Sequence, residues 1–334
     1  MRRNRRLAAL SASLFVFLAA CAENAPQDTL EPQGPVARQI DRLIDPVFIV
    51  AGVVFLLVEG LVVIAVLKFR AKPGSPEPQQ IHGNTRLEVG WTLVPALILL
   101  LVAIPTIATV FDLSKKPDNP VNVTVIGHQF WWEYRYDDLG VVTANELRMP
   151  VGQPVSLTLL SDDVIHSYWI PALAGKTDVV PGRQNRMHLE ADTPGEYLGQ
   201  CTEFCGDSHA NMRAKAIAMA PQDFDAWVAS QRAPSVKASA GTRGEAGALL
   251  FAQKGCGGCH TVEGVSEGIV GPNLTHFATR TTFAGSIFDN NDANLRRWLR
   301  DPLGEKPGNK MIIPGAPLTP DEITELIVYL NTLQ

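Results

Sequence analysis

Two long apolar stretches set the first limit on what this chain of 334 residues can fold into. Positions 47–67 are apolar apart from Glu59, and positions 89–111 carry no charged residue. About 20 apolar residues suffice to cross the hydrocarbon core of a bilayer as a helix, so each stretch is long enough. The expected arrangement is an antiparallel hairpin, with spans at 46–69 and 88–112 joined by a cytoplasmic loop at 70–87. Basic residues do not orient it, because Lys68, Arg70, Lys72 and Arg86 in the loop balance Arg38, Arg42, Lys115 and Lys116 on the flanks. The N-terminus does. Arg2, Arg3, Arg5 and Arg6 precede an apolar run at 7–20 that is too short to span, which reads as an export signal over 1–20. An exported start followed by two crossings returns the rest of the chain to the outer side. Glu59 is costly in hydrocarbon and is expected to be protonated or to face another subunit.

Five cysteines are an odd number for an exported chain, so at least one does something other than pair within it. The signal ends in Leu18-Ala19-Ala20-Cys21, which resembles the bacterial lipoprotein signal and makes Cys21 a lipidation site, with 21–45 as a tether. The other four form two close pairs, Cys201 with Cys205 and Cys256 with Cys259, and both pairs sit beside histidines. That is cofactor spacing. A net charge of -5 argues against nucleic acid as a partner.

From Pro120 the texture changes to short β-branched and aromatic runs at 121–126, 130–136, 154–160, 185–189, 196–198 and 215–219. Such spacing predicts an antiparallel sandwich or barrel, here placed at 118–230 and closed by a short helix at 223–230. Positions 231–243, rich in Ala, Ser, Gly and Pro, read as a linker. The remainder, 244–334, is helical by pattern. Its final helix starts at Thr319 as N-cap, with Pro320 in the first position and Glu322 completing a capping box. Ile323, Leu326, Ile327 and Leu330 then share one face.

Cys201, Cys205, His209 and Met212 place two thiols, an imidazole and a thioether within twelve residues. Soft thiolate and thioether ligands suit copper. A Cys201–Cys205 disulfide and a structural zinc site are the alternatives, and Met212 speaks against zinc. In the second cluster, Cys256-Gly257-Gly258-Cys259-His260 is the c-type haem attachment motif, in which two thiols add to the haem vinyls and the imidazole becomes an axial ligand. A thiol-redox Cys-x-x-Cys would need a βαβ setting that is missing. Met311, in Asn309-Lys310-Met311-Ile312-Ile313-Pro314, resembles the axial methionine of small bacterial cytochromes c; His276 is the alternative, itself read as a surface or haem-edge residue. Gly271-Pro272-Asn273-Leu274 reads as the loop packing on the haem-ligating His260, and Trp298 as a cover for the haem edge.

The Cys-x3-Cys-x3-His-x2-Met pattern, with His166 in Asp163-Val164-Ile165-His166-Ser167, resembles the binuclear CuA motif of cytochrome c oxidase subunit II. The resemblance extends from about the first span to Ala220 and includes Gly127-His128-Gln129-Phe130-Trp131-Trp132. It implies that Cys201 and Cys205 bridge two coppers, that His166 and His209 cap one each, and that Met212 and the Glu203 carbonyl complete the set. It further implies Mg or Mn reached by the Glu203 side chain, an acidic cytochrome c docking edge at Asp162 and Asp163, and a proton-channel mouth at Glu88. Phe130 stands where many family members have Trp for electron uptake, with aromatic character persisting at Trp131 and Trp132, so the fused haem domain is expected to receive electrons first. The fold class implied is multidomain: a two-helix transmembrane hairpin, an all-β cupredoxin-like domain and an all-α class I cytochrome c domain. The expected partners are oxidase subunits I and III, cytochrome c or an equivalent donor, and the bacterial inner membrane, with both redox domains on the periplasmic side. Neither span has a histidine to ligate an oxygen-reducing centre, so that centre belongs to another subunit. The other reading is a free-standing, membrane-tethered haem and copper carrier serving a different reductase.

Overall fold

The computed structural model describes residues 25–70, 73–74, 76–77, 79–80, 82–234, 241 and 243–334. The expected signal at 1–20, Cys21 and most of the linker lie outside the described residues. Two long helices come first, α1 at Pro35–Lys68 and α2 at Thr85–Leu113, and their apolar stretches are unburied within the chain. Asn84 caps α2, its side-chain oxygen accepting from the backbone N–H of Arg86 at 3.1 Å and Leu87 at 3.4 Å. Glu88 lies in the first turn, where the helix dipole favours a carboxylate.

Helix α1 begins well before position 46, so the 35–45 part of the expected tether is helical. Pro35 is preorganised for a first helical position. Tertiary contacts then hold the extension: Val36 is buried in the core of the copper domain, and Ile40 packs against it. Gln33 N–H donates to the Ala172 carbonyl at 2.7 Å, Asp192 N–H donates to that of Gln33 at 2.9 Å, and Arg38 pairs with Asp192. Gln39 also reaches Asp112 of α2 at 2.8 Å.

The domain after α2 is a sandwich of two five-stranded sheets. Its strands are β1 Val121–His128, β2 Trp131–Tyr136, β3 Val141–Ala144, β4 Glu146–Pro150, β5 Val155–Ser161, β6 His166–Trp169, β7 Thr177–Val179, β8 Asn185–Leu189, β9 Gly195–Cys201 and β10 Arg213–Met219. The sheets run β3-β2-β1-β5-β8 and β4-β10-β9-β6-β7. The β1–β5 and β4–β10 pairs are parallel. Strands β3, β4, β6 and β7 escape sequence reading because they are short, and β4 and β6 also bury polar groups: Glu146, His166 and Ser167 are each 1% exposed or less.

Aromatic residues stitch the sheets together. The Tyr134 and Tyr168 hydroxyls meet at 3.2 Å, and Tyr136 Oη donates to the Arg148 carbonyl at 2.6 Å while accepting from its N–H at 2.8 Å. Helix α3, Pro221–Arg232, caps this end by setting Trp227 5.2 Å from the Tyr136 ring. Tyr136→Phe is expected to cost about 2 kcal/mol, since it strips both backbone groups of a partner. Calorimetry of the purified complex would register this as a lower unfolding temperature for the copper domain, and an unchanged one would refute it.

The C-terminal domain is built on α4 Arg243–Gln253, α5 Asp292–Arg300, α6 Pro302–Glu305 and α7 Pro320–Leu330. The α7 capping box is present as the sequence predicts, with Thr319 N–H donating to Glu322 at 2.8 Å. Helices α4 and α7 cross at Gly247, where a Cβ would lie 2.2 Å from the Glu325 carbonyl oxygen. Two small ladders add to the helices, β11 Thr261–Val262 with β12 Ser266–Glu267, and β13 Thr282–Phe283 with β14 Phe288–Asp289.

Candidate copper and haem sites

Strand β6 pairs with β9 so that Tyr168 lies opposite Cys201, which brings His166 at the start of β6 beside the end of β9. The 202–212 loop then leaves and returns through a neck closed by Cys201 N–H donating to the Met212 carbonyl at 2.8 Å. A turn at His209–Asn211 swings the second imidazole inward. The donors converge. Cys201 Sγ lies 3.9 Å from His166 Nδ1, 3.9 Å from Cys205 Sγ and 3.2 Å from the Glu203 carbonyl. Cys205 Sγ lies 3.6 Å from His209 Nδ1 and 3.8 Å from Met212 Sδ.

The sulfur–sulfur distance of 3.9 Å is about twice a disulfide bond, so the two thiols are unbonded and available as separate donors. A set of two thiols, two imidazoles, a thioether and a carbonyl exceeds the four donors of a closed zinc site and is soft enough for copper. Cys201 is pushed down by its contact with Cys205 and further by His166, while Cys205 is pushed up by the same contact with Cys201. Two adjacent thiolates therefore need cationic charge between them, which copper would bring. His166 Nε2 donates to Asp163 at 2.8 Å, leaving Nδ1 turned to the sulfurs. Burial opposes ionisation of Asp163. Hydrogen bonds from His166, the Gln129 and Val164 N–H groups and Lys310 outweigh it and hold the carboxyl well below its usual range. A carboxylate behind a ligating histidine fixes ring orientation.

The other sequence-predicted residues separate. Phe130 is 3% exposed and Trp132 is fully buried, so neither offers the open aromatic surface that the docking reading needs. Trp131 is partly exposed and stacks on His128 at 4.2 Å between centroids. Asp162 is exposed, whereas Asp163 is engaged with His166 and Lys310. The Glu203 side chain points outward beside Phe204, which is 75% exposed. Phe204 was not singled out from sequence, although an aromatic residue between the two candidate ligand cysteines was the available signal.

In the C-terminal domain, Cys256 and Cys259 frame a tight turn at Cys256–Gly258 directly after α4. His260 Nδ1 donates to the Pro272 carbonyl at 2.8 Å, which bears out the 271–274 loop and leaves Nε2 for a metal. Burial pushes its pKa down, favouring the neutral imidazole that ligation requires. Met311 Sδ accepts from Trp298 Nε1 at 3.0 Å, and both belong to the same apolar cluster as Cys256. His276 is buried at 6% exposure, so it is not a surface residue, and neither ring nitrogen has a partner; Arg280 Nε is likewise buried and unpaired. Buried donors of this kind fit a haem, whose carboxylates would satisfy them.

Three family models match the chain: the transmembrane domain of cytochrome c oxidase subunit II over 27–109, its periplasmic domain over 140–218, and cytochrome c over 244–334. A cytochrome c oxidase subunit 2 from Alkalihalophilus pseudofirmus is 40% identical over 96% of this chain and 95% of its own length. The chain belongs to the cytochrome c oxidase subunit II family. A member from Bacillus subtilis is 32% identical over 100% of this chain and 99% of its own length. A solved periplasmic domain of subunit II from Bradyrhizobium japonicum is similar over 35% of this chain and 96% of its own, at 28% identity and a TM-score of 0.34. As a subunit II, the chain is a membrane component of an oxidoreductase complex with a periplasmic domain, and it acts with other oxidase subunits and cytochrome c-like donors. Family membership brings a CuA copper centre, and the cytochrome c domain brings a haem.

Proposed function

We propose that this subunit II takes electrons from a cytochrome c-like donor through its own haem and relays them through CuA to the oxygen-reducing, proton-pumping subunit I. What carries the reading is the convergence of the copper donors within 3.9 Å on a chain that also frames a haem motif. When bound, the two groups supply one-electron exchange. Every other task falls to the chain. His166, Cys201, Cys205, His209, Met212 and the Glu203 carbonyl would hold the coppers, and the preformed neck at Cys201 and Met212 limits how far these ligands can move. Cys256 and Cys259 would hold the haem covalently, His260, oriented by the Pro272 carbonyl, would ligate its iron, and Met311 would add a thioether ligand of the kind that raises a haem potential.

The exposure of Glu203 and Phe204 supports a reading in which subunit I packs against the copper loop and the Glu203 carboxylate reaches a Mg or Mn ion at that boundary. Glu88 sits at the mouth of a proton channel in subunit I, and subunit III completes the membrane assembly. Both redox domains face the periplasm after two crossings, with the signal at 1–20 removed and Cys21 carrying the lipid. Haem staining after denaturing electrophoresis tests the covalent link: a stained band is expected for the wild type and none for a Cys256→Ala, Cys259→Ala chain. Electron paramagnetic resonance should find two coppers sharing one unpaired electron. An unstained wild-type band or a mononuclear copper signal would refute the relay.

A further inference from the structure

We propose that the haem domain is permanently seated on the copper domain by a buried carboxylate latch at Glu146, and that its seated 306–310 loop closes the Phe130 and Asp163 face to soluble donor proteins. Glu146 opens β4 of the copper domain and is 1% exposed. One of its oxygens, Oε1, accepts four hydrogen bonds from the haem domain: the N–H groups of Thr281 at 2.8 Å and Thr282 at 2.7 Å, and their hydroxyls at 2.6 and 3.0 Å. Its other oxygen pairs with Arg148 at 3.2 Å, and Arg148 also donates to the Thr279 carbonyl at 2.9 Å. A carboxylate is costly to bury unless its lone pairs are filled, and charge-assisted hydrogen bonds are about twice as strong as neutral ones. Here the filling comes from the other domain.

A second contact lies towards the copper. Lys306, only 2% exposed, donates to the Phe130 carbonyl at 2.6 Å and the Ala284 carbonyl at 2.7 Å. Between them the backbones approach at Gly285, whose φ is +78° and where a Cβ would lie 2.8 Å from the Phe130 oxygen and 2.9 Å from that of Asn211. Only glycine fits. Lys310, the neighbour of Met311, pairs at 3.0 Å with Asp163, the carboxylate that holds His166. Of the positions that would receive a soluble cytochrome, Phe130 and Asp163 are thus taken by the chain's own haem domain. The latch stands on these contacts alone; the exclusion of a soluble donor rests on the relay reading.

Hydrogen–deuterium exchange of the intact oxidase tests the latch. In the wild type the Thr281 and Thr282 amides should be protected. In Glu146→Ala, exchange over 281–286 should rise by roughly 30-fold or more, with the amides of α7 and β1 unchanged as a folding control. Glu146→Gln, which keeps an acceptor oxygen without the charge, should fall between the two. If Glu146→Ala does not assemble, Lys306→Met should raise exchange over 284–286 in the same way. Wild-type amides that exchange freely, or a variant with unchanged exchange, would overturn the latch. In stopped-flow mixing with a reduced soluble c-type cytochrome, wild-type copper should be reduced only after haem, and Glu146→Ala should open a direct route to copper. Copper reduced ahead of haem in the wild type would overturn the closed face. The protected pattern in a chain lacking the two-copper signal would uphold the latch while refuting the relay.

Discussion

Cys205→Ser is expected to abolish the two-copper signal while leaving the covalent haem in place. Cys205 Sγ stands between the other donors, 3.9 Å from Cys201 Sγ, 3.6 Å from His209 Nδ1 and 3.8 Å from Met212 Sδ. A hydroxyl there is a hard, short donor that cannot bridge two soft metals. Loss of an outer-shell partner alone costs about 10–100-fold in metal affinity, so loss of a bridging ligand should exceed that. Metal analysis should find at most one copper per chain, and turnover with an external donor should collapse in parallel. Two coppers with an unaltered paramagnetic spectrum would remove Cys205 from the site.

Met311→Ala should leave the haem attached and move its potential. A thioether ligand stabilises the reduced iron, and axial ligands span about 0.8 V of potential, so a fall on the order of 0.2 V is expected. The weak absorption band near the red edge of the spectrum should vanish with the sulfur. Trp298→Phe should shift the band without abolishing it, because the Trp298 N–H donates to that sulfur at 3.0 Å. An unchanged spectrum in Met311→Ala would return His276 to consideration as the sixth ligand.

Much of this molecule could be read from local pattern. The α7 capping box, the spacing of Cys201, Cys205, His209 and Met212, and the Cys256–His260 run are each written within a dozen residues. Physics acting over so short a range leaves a mark in the sequence. Strands β4 and β6 left none, because each places a polar side chain where alternation predicts an apolar one, and the partners that make Glu146 and His166 tolerable come from elsewhere in the chain. The Glu146–Thr281 contact joins positions 135 apart and has no local signature on either side. Lys306 is the sharper case. In a loop of Lys, Pro, Gly and Asn it reads as solvated, yet burial pushes its pKa down to about 7. The family resemblance implied an open docking edge at Asp163, and nothing local corrects it: its proximity to Lys310 exists only once the two domains have met.

The early start of α1 has a mechanical meaning. A helix rises 1.5 Å per residue, so the turns from Pro35 to Pro46, just before the apolar stretch, form a helical post about 17 Å tall. Its top is pinned to the sandwich by Val36 and Arg38 and braced to α2 by Gln39. On the proposed relay, this post would set the spacing between the bilayer and the copper loop. Electron tunnelling falls steeply with distance, and a flexible strap would let that gap wander with every thermal fluctuation of the membrane. A rigid one turns the depth at which the hairpin sits into a fixed clearance for the copper loop above its neighbour.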